Sequence, residues 1–120
     1  MKIALVGYGK MGHMLRSAAE ACGHEVVVTV DVMAPDADVK VPAGDGKAVA
    51  DVVKKSGAEG VIEFTHPTAV MENIKHLLPL GLPLVVGTTG WNDKYGEVEA
   101  MAKETNGVIL GGGNFSVGVN

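Results

Sequence analysis

The residues most capable of chemistry open the chain. Gly7-Tyr8-Gly9-Lys10-Met11-Gly12 has the spacing G-x-G-x-x-G, directly after the apolar run Lys2 to Val6. That spacing suits a backbone that must approach a pyrophosphate. Gly7 permits a tight strand-to-helix turn, Gly9 removes a side chain where phosphates meet the main chain, and Gly12 lets helix and strand pack closely. The first N–H groups of the helix and its dipole then favour negative charge. Nineteen residues beyond Gly12, Asp31 ends a β-branched run. Its carboxylate is placed to accept hydrogen bonds from the adenosine ribose hydroxyls and to repel a 2′-phosphate, so NADH is the preferred cofactor and NADPH a possible one. The plainer alternative is a turn that needs glycine and an aspartate that merely ends a strand. Lys10 either supports a phosphate or is a solvated lysine at a helix start.

Three more segments belong beside that turn. Glu63-Phe64-Thr65-His66-Pro67, Gly87-Thr88-Thr89-Gly90-Trp91 and Gly113-Asn114-Phe115-Ser116 each follow a short apolar run. In a parallel α/β sheet, ligands bind beyond the carboxyl ends of the strands, so all three should line one rim. Small residues and hydroxyls there suit the nicotinamide ribose and carboxamide, and Phe64 or Phe115 can cover a ring face. His66 is either an acid near the nicotinamide or a helix-start residue. Glu63 is a proton-handling carboxylate or a hydrogen-bonded structural one. Cys22 and the methionines Met11, Met14, Met71 and Met101 fall on apolar helical faces and read as core. Trp91 packs against this domain or another. No residue set has the pattern of a Ser-His-Asp triad or of a metal site.

The elements that must position these residues follow from apolar periodicity. Strands are expected at Lys2 to Val6, Glu25 to Val30, Val61 to Thr65, Leu84 to Val86 and Val108 to Leu110. Between them, helical spacing runs from Lys10 to Cys22, stopped by Gly23, and from Ala48 to Val53, stopped by Gly57. A third helix begins near Pro67 with the stripe Val70, Ile74, Leu77 and Leu78, and ends at Pro79 and Gly81. A fourth, capped by Asn92, carries Tyr95, Val98, Met101 and Ala102 on its inner face. Residues 32–46 read as an irregular connection. Five strands alternating with helices predict a doubly wound parallel sheet, a Rossmann-like α/β domain.

Composition narrows the classes further. The chain has 120 residues, 47% hydrophobic and 20% charged, with a formal net charge of −4. One such domain folds without staples, and a single cysteine excludes a disulfide framework. Ten basic against fourteen acidic residues leave no dominant positive field for nucleic acid. No apolar run reaches the ~20 residues of a membrane span. No nucleic-acid partner and no membrane are therefore expected, and the expected location is cytoplasmic.

Glu-Phe-Thr-His-Pro, Gly-Thr-Thr-Gly and Asn114-Phe115-Ser116-Val117-Gly118-Val119-Asn120, in the company of Gly-Tyr-Gly-Lys-Met-Gly, carry a resemblance. From Met1 to Asn120 the sequence resembles the N-terminal domain of the dihydrodipicolinate reductase (4-hydroxy-tetrahydrodipicolinate reductase) family, NAD(P)H-dependent oxidoreductases of lysine and diaminopimelate biosynthesis. The resemblance implies dinucleotide contacts at Gly7, Tyr8, Gly9, Lys10, Met11 and Gly12, at Asp31, at Phe64 and Thr65, and at Gly87, Thr88 and Thr89. It implies further contacts at Gly112, Gly113, Asn114 and Phe115, with Thr89 also facing the substrate. Two positions depart from the pattern: Glu63 stands where many relatives have Asp, and Val32 where some have a base, which favours NADH.

Members of that family continue into a second domain that binds substrate and forms the tetramer, with a motif like His-His-x-x-Lys-x-Asp-x-Pro-Ser-Gly-Thr that this chain lacks. Residues 1–120 are therefore expected to be one dinucleotide-binding domain ending in the hinge to a missing C-terminal domain. Catalytic residues are expected in that missing domain and none in this chain. The small-molecule substrate would bind only with it. The isolated chain, a monomer or weak dimer, would hold cofactor without turnover. Two alternatives stand beside this reading: a stand-alone dinucleotide-binding or sensing module, and the N-terminal domain of another NAD(P)-dependent dehydrogenase.

Overall fold

A computed structural model of the chain describes residues 1–32, 34–42, 45–65, 67–87, 95–105, 109–111 and 116–117. Within them, β1 (Lys2–Val6), α1 (Lys10–Ala21), β2 (Glu25–Asp31), β3 (Val39–Lys40), α2 (Gly46–Ser56) and β4 (Gly60–Glu63) form the first half. The second half holds α3 (Pro67–Leu77), a 3₁₀ turn at Leu78–Leu80, β5 (Leu84–Val86), α4 (Tyr95–Thr105), β6 (Ile109–Gly111) and β7 (Ser116–Val117). The strands make one sheet in the order β3-β2-β1-β4-β5-β6-β7, parallel except for the last pair. Chain order runs outward from β1 in one direction and from β4 in the other, so the doubly wound fold has its switch point between β1 and β4.

The apolar strands are buried because both faces of the sheet are covered. Ala4 and Val6 of β1 face one way, into the large cluster with Val49 and Val53 of α2, Val70 and Ile74 of α3, and Val98 of α4. Ile3 and Leu5 face the other way, against Leu15 and Ala19 of α1. A register shift opposite the Ile3–Ala4 step gives β2 one extra residue. Across it the even-numbered valines change faces: Val26 joins the α1 side, and Val28 and Val30 the other.

All five expected strands form, and the four helices do too. The differences lie at ends and in the long connection. The third expected strand stops at Glu63, leaving Phe64 and Thr65 beyond the ladder. The second helix starts earlier, at Gly46, because Asp45 caps it by accepting the Ala48 N–H at 3.1 Å. The connection after β2 holds a two-residue strand, β3, beside Val30 and Asp31. Thr29 and Asp38 tie it down reciprocally: Thr29 N–H donates to the Asp38 carboxylate at 3.0 Å and Asp38 N–H to the Thr29 hydroxyl at 2.8 Å. β7, antiparallel to β6, was not expected. Asn92 and Val108 lie outside the described residues.

Two side-chain expectations are corrected on α1. Cys22 is exposed, since it is the C-cap and the chain turns away through Gly23 at φ +87°. Met14 is 59% exposed, because the helix rests on Leu15 and Ala19 and Met14 lies off that line. Met71 and Met101 do pack against the core.

Candidate dinucleotide-binding site

The backbone hydrogen bonds of the sheet continue one residue past β1, β4 and β5. Gly7 N–H donates to the Val30 carbonyl at 2.6 Å, Phe64 N–H to that of Val6 at 2.7 Å, and Gly87 N–H to that of Glu63 at 2.8 Å. Gly7, Phe64 and Gly87 therefore stand side by side on the carboxyl rim, across the switch point. Gly7 has φ +102°, and a Cβ there would lie 1.8 Å from the Phe64 carbonyl oxygen. Only glycine fits. A Cβ on Gly12 would meet the Gly7 carbonyl at 2.5 Å, so that glycine lets α1 pack on the turn. A Cβ on Gly87 would meet the Phe64 ring at 1.9 Å, so the ring lies flat along the main chain of the neighbouring loop.

Gly9 is different. A Cβ there would meet nothing within 4 Å. Gly9 is also the N-cap of α1, with no side chain capping the helix and no acidic residue in the first turn. First-turn N–H groups that no N-cap side chain satisfies, beside open space, are what a phosphate needs. Gly7 and Gly12 are thus demanded by the protein's own packing, whereas Gly9 leaves open space.

Asp31 sits half-buried at the end of β2 and is fastened to the glycine turn. Its Oδ1 accepts the Tyr8 N–H at 2.9 Å and its Oδ2 accepts the Ala34 N–H at 2.7 Å. Val32, next in the chain, is exposed and carries no charge.

On the far side of the switch point, Thr65 donates its hydroxyl to the fully buried Glu63 carboxylate, and Asn73 Nδ2 from α3 donates to the same oxygen at 2.9 Å. Glu63 is thus a hydrogen-bonded carboxylate that orients Thr65 at the rim. Of the residues singled out from the sequence, Gly7 to Gly12, Asp31, Phe64, Thr65 and Gly87 come together on one edge. His66, Thr88, Thr89, Trp91, Gly112, Gly113, Asn114 and Phe115 lie outside the described residues.

Sequence reasoning missed a cluster beside the glycine turn. The Tyr8 ring is buried and stacks on the His13 imidazole, centroids 4.0 Å apart. His13 Nδ1 lies 2.7 Å from the Gly9 carbonyl oxygen, and its Nε2 pairs with the Asp36 carboxylate. Arg16, the sole arginine, donates to the Tyr8 hydroxyl at 3.2 Å and to Glu20 at 3.4 Å. The hydrogen bonds to Gly9 and Asp36 raise the His13 pKa above the usual 6.5, and the one to His13 lowers that of Asp36 below the usual 3.8. The pair spans 23 residues of sequence, and neither partner belongs to a known spacing.

The fold, with an open glycine turn at its switch point, defines the class: a doubly wound, Rossmann-like α/β domain. Among solved structures, the chain is similar to a hyperthermophilic archaeal homoserine dehydrogenase in complex with NADPH, with TM-score 0.68 and 16% identity over 91% of this chain and 42% of that one. It is also similar to a Plasmodium falciparum pyrroline carboxylate reductase with NADP bound, with TM-score 0.62 and 15% identity over 92% of this chain and 41% of that one. Identities this low establish the fold. Sequence relatives are nearer. A 4-hydroxy-tetrahydrodipicolinate reductase of Archaeoglobus fulgidus is 34% identical over the whole chain, which covers 48% of that protein. One of Christiangramia forsetii is 31% identical, again over the whole chain and 44% of that protein. Residues 1–112 match the family model described as dihydrodipicolinate reductase, N-terminus. The chain belongs to this family, and it spans about half the length of the curated relatives it matches.

Proposed function

We propose that this chain is the NAD(P)H-binding domain of a 4-hydroxy-tetrahydrodipicolinate reductase, which reduces that substrate to tetrahydrodipicolinate in lysine and diaminopimelate biosynthesis. The observation that carries the proposal is the open Gly9 position at the start of α1, with the Asp31 carboxylate fastened beside it through the Tyr8 N–H. Gly7 to Gly12 would hold the pyrophosphate and Asp31 the adenosine ribose. Phe64, Thr65 and Gly87 would hold the nicotinamide half, together with Thr88, Thr89, Gly112, Gly113, Asn114 and Phe115. Thr89 would also face the substrate. When bound, the dinucleotide supplies the hydride. The chain's own part is to hold it: Gly7 and Gly12 set the turn, and Glu63 and Asn73 hold Thr65 at the rim.

The negative charge of Asp31 and the absence of a base at Val32 favour NADH over NADPH. Proton donation, substrate binding and tetramer formation are assigned to the half of the relatives that this chain does not span. The isolated 120 residues should therefore bind cofactor as a monomer or weak dimer without turnover.

Calorimetric titration of the purified chain with NADH and with NADPH tests this reading. NADH should bind more tightly, and Asp31→Asn should narrow the gap by weakening NADH and relieving the repulsion of the 2′-phosphate. A cooperatively folded chain that binds neither dinucleotide would overturn the assignment. Reductase turnover by these residues alone would refute the division of labour.

A further inference from the structure

The loop after β2 returns to α1 through one pair, His13 and Asp36. Both ring nitrogens of His13 face acceptors, the Gly9 carbonyl on one side and the Asp36 carboxylate on the other. Neither the carbonyl nor an ionised carboxylate can donate, so the arrangement is satisfied only when both nitrogens carry hydrogen. The arrangement favours the imidazolium form of His13, which lies on the Tyr8 ring, a face that stabilises a cation. Four other groups act on this cation or its partner: the Tyr8 phenol from the glycine turn, Arg16 one turn along α1, Asp36 from the loop, and Asp31 at the end of β2, whose charge reaches Asp36.

Asp31 accepts the N–H of Ala34, two residues before Asp36. The His13–Asp36 pair thus borders the face where Asp31 would meet a ribose. A phosphate on the 2′-hydroxyl of that ribose needs a nearby cation. Of the three α1 cations, Lys10 stands in the glycine turn itself, while Arg16 is engaged by Tyr8 and Glu20 and His13 by Asp36.

We propose that Asp36 is a specificity-determining residue for the dinucleotide: its carboxylate occupies the His13 cation in place of a 2′-phosphate and so disfavours NADPH. The inference rests on the dinucleotide reading above and adds a residue to it. Asp31 acts on the ribose directly, whereas Asp36 acts by keeping a cation from the phosphate. Choice between the two cofactors then varies with pH through His13 as well as through the 2′-phosphate, whose second ionisation lies at about pH 6; only the His13 part is lost in the double variant.

The test measures the ratio of NADPH to NADH affinity in the native chain, Asp36→Asn and the double variant His13→Gln/Asp36→Asn, at pH 6 and pH 8. Asp36→Asn should shift the ratio about threefold toward NADPH at pH 6, because the pair it breaks is exposed and correspondingly weak. The shift should shrink at pH 8 and disappear in the double variant. Proton NMR of the His13 ring gives a second readout without ligand, and its pKa should fall toward 6.5 in Asp36→Asn. An unchanged affinity ratio in a variant that still binds both dinucleotides overturns the role of Asp36 and leaves the domain assignment intact. An unchanged His13 titration shows that the pair does not form and overturns it as well. Failure of the folded native chain to bind either dinucleotide overturns both readings.

Discussion

At the scale of single residues, the three glycines of the turn do different work, and substitution separates them. Alanine at Gly7 would need a left-handed backbone and would drive its Cβ into the Phe64 main chain. Gly7→Ala should cost about 3 kcal/mol or more in urea unfolding. Gly9 has φ −80°, open to any residue, and empty space around it. Gly9→Ala should stay within about 0.5 kcal/mol of native stability yet lose about tenfold or more in dinucleotide affinity by calorimetry. Loss of stability at Gly9 or retention of affinity would contradict the assignment of its space to phosphate.

The His13–Asp36 pair makes a separate prediction for pH. A raised histidine pKa contributes stability that is present below 6.5 and is lost as pH rises through the folded value. A lowered aspartate pKa contributes stability present above 3.8 and lost as pH falls through its folded value. The pair therefore stabilises most between those limits, from about pH 4 to about 6.5. Both side chains are largely exposed, so the effect is small and screened by salt. The urea midpoint should fall from pH 6 to pH 8, and His13→Gln should reduce that fall. An identical fall in both proteins would remove the pair from the account.

At the scale of elements, β4 and α3 are joined by polar groups inside an apolar core. Glu63 and Asn73 are both buried, and Asn73 Nδ2 donates to the Glu63 carboxylate at 2.9 Å. Removing a donor from a buried carboxylate costs more than the bond itself is worth, because the charge remains desolvated. Asn73→Ala should destabilise by about 2–4 kcal/mol, measured by chemical unfolding. Loss of less than about 1 kcal/mol would mean that other partners satisfy Glu63 without Asn73. The neighbouring helices α2 and α3 approach through Gly46, where a Cβ would lie 2.3 Å from the Glu72 carbonyl oxygen. Gly46 thus starts a helix and also makes its close packing possible, a second role that its place after Asp45 does not advertise.

Across the whole molecule, the two sheet faces are covered unequally. Helices α2, α3 and α4 all contribute to the cluster on one face, whereas α1 packs against the other, over β1 and β2. Along β5 this shows residue by residue: Leu84 and Val86 are buried, while Val85 between them is 39% exposed. Leu84→Ala should cost about 3 kcal/mol by leaving a cavity, and Val85→Thr should change stability by no more than about 0.5 kcal/mol. A large loss at Val85 would show that its face is covered in solution. Among the described residues, no helix is long and apolar enough to cross a membrane.

Five strands, four helices and the glycine turn were legible because each rests on local chemistry: apolar runs bounded by glycine and proline, and a spacing that only a tight turn requires. The acid at Asp31 was legible for the same reason, as the polar end of an apolar strand. What sequence alone determined is therefore the order of the elements and the rim on which Gly7 to Gly12, Asp31, Phe64, Thr65 and Gly87 meet. Tertiary structure decided what depends on partners distant in the chain. It rolled α1 onto Leu15 and Ala19 and left Met14 exposed, brought Asp36 to His13, and set Phe64 against Gly87. Periodicity marks which face of an element is apolar, but side-chain contacts between elements depend on how those faces dock, and docking is a property of the packed chain.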